Sequence, residues 1–292
     1  MDLADGVDIG PYFGAFVLGI YFNILLYGVV VSGYYHYAHH SKNDSLPLRL
    51  FILFLFVADS AQTGLSVVYV YQGLVTHFGG IDYLQTPGIV STSGPAITGI
   101  ISCSVQLFFT YRVQAISRSM WLSVLTGVLA VLSMLFSIAT VVAIRWPGLH
   151  GTESLHQNSV KALFSVWLST GVVADILITV ALVWHLRRKK SGFSDTDSLV
   201  NRIILLTVQT GVLTTTWAIT DLVLYLTSPM DTHLFFNFSL AKLYTILLVS
   251  SLNHRGTWEP APSKLSELSW TVESRRMGEC TAGSGCTNDP LV

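Results

Sequence analysis

The sequence predicts an all-α integral membrane protein: a bundle of seven transmembrane helices, with the N-terminus outside and the C-terminus cytoplasmic. Three observations carry that expectation. Seven separated apolar stretches fill the chain from Tyr12 to Leu252, each near the roughly 20 apolar residues that cover about 30 Å of hydrocarbon at about 1.5 Å per residue. The composition is 51% hydrophobic and 11% charged, whereas a soluble domain carries roughly 25% charged residues. The basic residues also gather on one side of the stretches, as the positive-inside rule requires.

The spans fall at 12–35, 48–73, 92–114, 120–144, 160–186, 199–226 and 232–252. The first runs uncharged from Tyr12 to Tyr35 and acts as the insertion signal, because MDLADGVDIG has no basic region and no small-residue cleavage site. The second carries Asp59 near mid-depth and a polar stripe of Gln62, Ser66 and Tyr69 at helical spacing. The third holds Pro95 near its outer end, Cys103, and a stripe of Ser102, Gln106 and Thr110. The fourth starts at the interfacial Trp121 and has no ionisable group in its interior. The fifth contains Asp175 and ends at Trp184, before Arg187, Arg188, Lys189 and Lys190. The sixth aligns Thr210, Thr214, Trp217 and Asp221 on one face, with Gln209 beside the start of the stripe. The seventh carries Lys242 near its middle, and its sequon Asn237-Phe238-Ser239 is buried in the span and out of reach of glycosylation.

All but three of the 16 Lys and Arg lie in the connections after the first, third and fifth spans, in their flanks, or in the tail. The exceptions are Arg145 and Lys161 on the opposite side and Lys242 within a span. That asymmetry requires an odd number of spans, in agreement with seven. Residues 1–254 thus form the transmembrane domain. Residues 255–292, rich in Ser, Thr, Glu and Gly, read as a disordered cytoplasmic tail. The net charge of −1 gives no reason to expect a nucleic-acid partner. Of three cysteines none lies in an outer loop, so no extracellular disulfide is expected.

Ionisable groups within spans are costly, by about 2.5–3.5 kcal/mol on insertion scales, and usually face the bundle interior and pair. Lys242 needs a partner, and Asp59 and Asp221 are the candidates. Together with the stripes they define a hypothetical ligand pocket of Asp59, Gln62, Gln106, Trp217, Asp221 and Lys242. The competing reading is plain packing, since such groups also hydrogen-bond between helices at about 0.6 kcal/mol each. A lysine in the seventh span invites a retinal reading. The third span, however, offers no carboxylate, and the residue four before Lys242 is Phe238. His36-x-x-His39-His40 matches one histidine box of the membrane desaturases. A di-iron site needs several such boxes, and only His185 and His254 join it on that side. No metal, cofactor or catalytic residue is expected, and no constellation supports an enzyme.

Several runs together resemble a family. They are Leu26-Tyr27-Gly28-Val29, Asp59, Val75-Thr76-His77-Phe78-Gly79, Gly94-Pro95 and Val105-Gln106-Leu107-Phe108-Phe109 followed by Arg112. Leu206-Thr207-Val208-Gln209-Thr210-Gly211 with Asp221, Phe236-Asn237, Lys242-Leu243-Tyr244 and Leu252-Asn253-x-Arg255 complete the set. With these the chain resembles a large family of seven-span membrane proteins, mostly from mushroom-forming fungi, catalogued only as a domain of unknown function. Two departures are Gly88 to Ser91, where the family has a Trp-Ser pair, and the lack of glutamine near the end of the first span. The resemblance implies membership and topology but no activity.

The functional expectation is a multi-pass protein, in the plasma membrane, that senses a small external molecule in the manner of a receptor. A small-solute or lipid transporter is the alternative, and a membrane-embedded enzyme comes third. Expected partners are membrane lipids, a small-molecule ligand, and a cytoplasmic protein docking at Arg187, Arg188, Lys189 and Lys190.

Overall fold

The computed structural model describes residues 10–40, 44–76, 89–117, 120–145, 153–188, 194–228 and 232–253. Those residues are helical almost throughout, with no strand among them. Seven long helices follow in order: α1 (Gly10–His40), α2 (Leu46–Tyr71), α3 (Ile89–Ser117), α4 (Met120–Arg145), α5 (Glu153–Arg188), α6 (Ser194–Thr227) and α7 (His233–Asn253). A π-turn, Gln72–Thr76, extends α2. Each helix contains its expected apolar run or all but a few end residues of it. Most overrun it, because backbone hydrogen bonding continues where hydropathy stops; α5 begins at Glu153 rather than at 160. The expected tail lies outside the described residues, as does the larger part of the outer connections.

The bundle is built for a lipid solvent. Large apolar side chains such as Leu25, Leu53, Val124, Leu135, Val180 and Leu226 point outward. The interior holds Asn23, Asp59, Gln62, Gln106, Asp175, Asp221 and Lys242. A soluble fold puts apolar groups inside; in a bilayer the outer surface must be apolar and polar groups must find each other. Among the described residues six helices are long and apolar enough to cross a membrane: α1 to α5 and α7. In the remaining long helix, α6, the side chains are described without a break only over 211–227, too short a stretch to count as a span.

Sequence order sets most neighbours. α4 packs along α3 and α5, α6 lies between α5 and α7, and α7 returns to pack along α1. The buried face of α4 is a column of small residues, Ser123, Thr126, Ala130, Ser133, Ser137, Thr140 and Ala143. Small side chains let backbones approach closely, which replaces the hydrophobic drive that lipid removes. Ser133 donates to the Trp167 carbonyl at 3.2 Å and Ser137 to the Pro95 carbonyl at 2.6 Å, tying α4 to both neighbours. The approach of α1 to α7 depends on Gly19, where a Cβ would sit 2.8 Å from the Phe235 Cα. Further along the same seam Gly33 faces Val249, and Asn253 donates its side-chain amide to the Gly33 carbonyl at 3.0 Å.

Candidate functional site

Helix α7 carries the chemistry because it is buried on nearly every side. Asn237, Ser239, Lys242, Tyr244 and Thr245 all lie below a tenth exposed, the last four within a continuous buried run from Ser239 to Thr245. A helix with only one buried face meets one or two neighbours. This one meets α1, α3 and α6, and touches α2 at the point that matters most.

That point is Lys242. Its Nζ lies 3.0 Å from Asp59 Oδ1, 3.0 Å from the Asp59 carbonyl and 2.9 Å from Gln62 Oε1, so all three ammonium protons are donated. Lysine and aspartate are both 0% exposed. In low dielectric such a pair survives only when the remaining donors are satisfied, as they are here. The Asp59 carbonyl also accepts from Thr63 Oγ1 at 2.9 Å. Gln62 then passes the contact onward, donating Nε2 to Thr98 Oγ1 on α3 at 2.8 Å. The Tyr27 ring lies 5.8 Å from the ammonium, and its hydroxyl meets Ser60 Oγ at 2.7 Å. On the far side of the carboxylate the Thr245 hydroxyl faces Asp59 without closing a hydrogen bond, and Asp59 Oδ2 has no partner among the described residues.

A second cluster surrounds Asp175 on α5. Gln106 of α3 donates to Oδ1 at 2.8 Å, and the Tyr244 hydroxyl of α7 donates to Oδ2 at 2.6 Å. The same Gln106 amide reaches the Gly171 carbonyl at 3.3 Å. A cavity of about 20 Å³ borders the cluster, lined also by Thr179, Thr207 and Thr214. That is room for about one water with polar neighbours to hold it.

The third cluster joins α6 to α7. Asn237 Nδ2 donates to Asp221 Oδ2 at 3.1 Å, and Trp217 Nε1 lies 3.0 Å from both the Phe236 carbonyl and Ser239 Oγ. Phe22 of α1 stacks on Trp217 at 5.7 Å and on Phe235 at 5.2 Å, closing the cluster with an aromatic wall.

The six residues expected in one pocket therefore occupy three adjoining clusters. Asp59, Gln62 and Lys242 meet directly; Gln106 belongs with Asp175; Trp217 and Asp221 form the third. Of the two candidate partners for Lys242, Asp59 takes the role, and Asp221 is instead held by Asn237. Lys242 has no proton left for Asp221, since all three go to Asp59 and Gln62. Thr210 lies among the residues whose side chains are not described, and Gln209 is exposed. Sequence reasoning passed over Thr98, Asn237 and Tyr244. The signal was present: polar residues spread all round α7 mark a helix with no lipid face.

Comparison with known proteins adds a family match over part of the chain and no activity. Residues 171–257 match a family of unknown function, DUF6534, a stretch that includes Asp175, Asp221, Asn237, Lys242 and Tyr244 but neither Asp59 nor Gln106. No curated protein and no solved structure matches the chain.

Proposed function

We propose that this chain is a seven-span plasma-membrane receptor for a small external molecule, with ligand binding in the outer half reported through the Lys242 cluster. Gln62 is the observation that carries the reading. Its amide oxygen accepts from Lys242, its amide nitrogen donates to Thr98, and the residue also lines a small outer cavity with Ser66, Tyr69, Ser93, Gly94 and Phe238. That cavity is about 10 Å³, far below the roughly 300–1,000 Å³ of a small-molecule pocket. A ligand must therefore separate α2, α3 and α7 to enter, and Gln62 cannot move without loosening the buried ammonium. Binding thus favours one packing of α7 over another, a population shift with a defined switch.

The orientation follows the basic residues: N-terminus outside, C-terminus and tail inside. In this reading α6 is the seventh span, packed along α5 and α7. The exposed Arg187 and Arg188 at the inner end of α5, with Lys189 and Lys190 after them, are the docking place for a cytoplasmic partner. Arg188 lies 4.8 Å from the Trp184 ring, which fixes this end at the interface.

The test separates a receptor from a transporter built on the same polar interior. In proteoliposomes of the purified chain, Tyr69→Cys is labelled by a membrane-impermeant maleimide from the N-terminal side, and a panel of small solutes shows no flux. Solute flux abolished by Asp59→Asn would overturn the receptor reading.

A further inference from the structure

Asp59 is answered by a lysine, whereas Asp175 on α5 is answered by neutral groups alone. Its Oδ1 accepts from Gln106 and its Oδ2 from the Tyr244 hydroxyl, and no Lys, Arg or His pairs with it among the described residues. Both oxygens accept, which is the pattern of a carboxylate that keeps its charge. Buried charges are paired or coordinate a metal ion, and the first of these is missing here. The cavity of about 20 Å³ beside Asp175 supplies room for the second. Gln106, Thr179, Thr214 and Tyr244 line it with the carboxylate, so α3, α5, α6 and α7 all bring oxygen to one place. Three of these side chains have already given their protons away. Gln106 gives one to Asp175 and one to the Gly171 carbonyl, Tyr244 gives its own to Asp175, and Thr214 donates to the Gly211 carbonyl at 3.2 Å. Gln106 Oε1, on a side chain only 1% exposed, has no hydrogen-bond partner among the described residues. What these groups leave for an entering particle is lone pairs beside a negative charge.

We infer that this cavity binds one monovalent alkali cation, held by the Asp175 carboxylate with Gln106 Oε1 and Thr179 Oγ1 as neutral ligands. Three features select that occupant. The polar lining offers oxygen as its electron-pair donor, which suits a hard cation. No group of three or more His, Cys, Asp or Glu stands together among the described residues to hold a softer transition metal. One carboxylate balances one positive charge, so a divalent ion would leave a net charge in the bundle interior, which is costly. The space admits one water-sized particle, which suits a dehydrated sodium or potassium ion and shuts out an organic cation such as choline. A water molecule matches the size but leaves the charge unanswered.

The site goes beyond the receptor reading and does not depend on it, and its test needs no external ligand. An ion seated here ties together four helices that otherwise meet through Gln106 and Tyr244, so its binding must show as stability.

Thermal unfolding of the purified full chain in mild detergent, at constant ionic strength, tests the inference. Sodium or potassium chloride replaces choline chloride stepwise. The unfolding midpoint should rise along a one-site saturation curve, because a ligand of the native state stabilises it by mass action. The salt that saturates at the lower concentration identifies the ion. Asp175→Asn keeps the shape, removes the charge and should abolish the rise, whereas Asp221→Asn, in the cluster between α6 and α7, should keep it. If Asp175→Asn does not fold, Thr179→Val decides. That variant loses one oxygen at a half-buried position and should need several-fold more salt to reach half of the rise. Equal midpoints in all three salts would mean a water beside a protonated carboxyl and would overturn the assignment. So would a rise that survives Asp175→Asn, that is lost with Asp221→Asn instead, or whose half-saturation is unmoved by Thr179→Val.

Discussion

Lys242 donates three hydrogen bonds to two residues of one helix, and that geometry dictates what its removal does. Lys242→Met strands the Asp59 carboxylate in the bundle, at about 3–5 kcal/mol. The variant should lose surface delivery, and its unfolding in mild detergent should shift to markedly lower temperature. Adding Asp59→Asn should restore much of the loss and adding Asp221→Asn should not, because Asp221 belongs to Asn237. Tyr244→Phe makes a smaller and separate prediction. It takes one of two donors from the buried Asp175, at about 1–3 kcal/mol, and should lower thermal stability without affecting any effect of Lys242 variants. At this scale the sequence showed which groups had to be buried and left their partners open. Four ionisable residues in apolar runs are unmistakable. Whether Asp59 or Asp221 reaches the lysine depends on the angle at which α2 and α6 face α7, which no helical wheel records.

Helices were more legible than contacts. Periodic polar stripes placed Gln62, Ser66 and Gln106 on interior faces, and all three are buried. The small-residue column of α4 and the glycine seam of α1 were passed over, because small residues add little to hydropathy while they control how near two helices can lie. The seam gives an internal control. Gly28 has open space where a Cβ would go, whereas Gly19 abuts the Phe235 backbone. Gly28→Ala should be neutral or slightly stabilising, by up to about 1 kcal/mol of helix propensity. Gly19→Ala must push α1 away from α7 and should destabilise the protein despite the same propensity gain. Thermal unfolding of the two variants side by side checks this, and equal behaviour would mean the helices do not approach as described.

Taken whole, the chain is a bundle whose exterior suits lipid and whose interior is wired through one helix. A reporter fused after Val292 should report a cytoplasmic position; an extracytoplasmic signal would reverse the orientation. The architecture was readable because length and hydropathy are summed over about 20 residues, so single misjudgements average out. The site resisted because it is assembled from helices far apart in the chain, Asp59 and Lys242 being separated by 183 positions. That separation has a consequence for biosynthesis. The helix that satisfies Asp59, Asp175 and Asp221 leaves the ribosome after the six others, so until α7 arrives three carboxylates wait in the membrane without the lysine, the tyrosine and the asparagine that answer them. Assembly cannot be completed before α7 is in place. A chain cut after Thr227 should be retained and degraded rather than delivered as a six-helix protein, and supplying α7 as a separate polypeptide should rescue it.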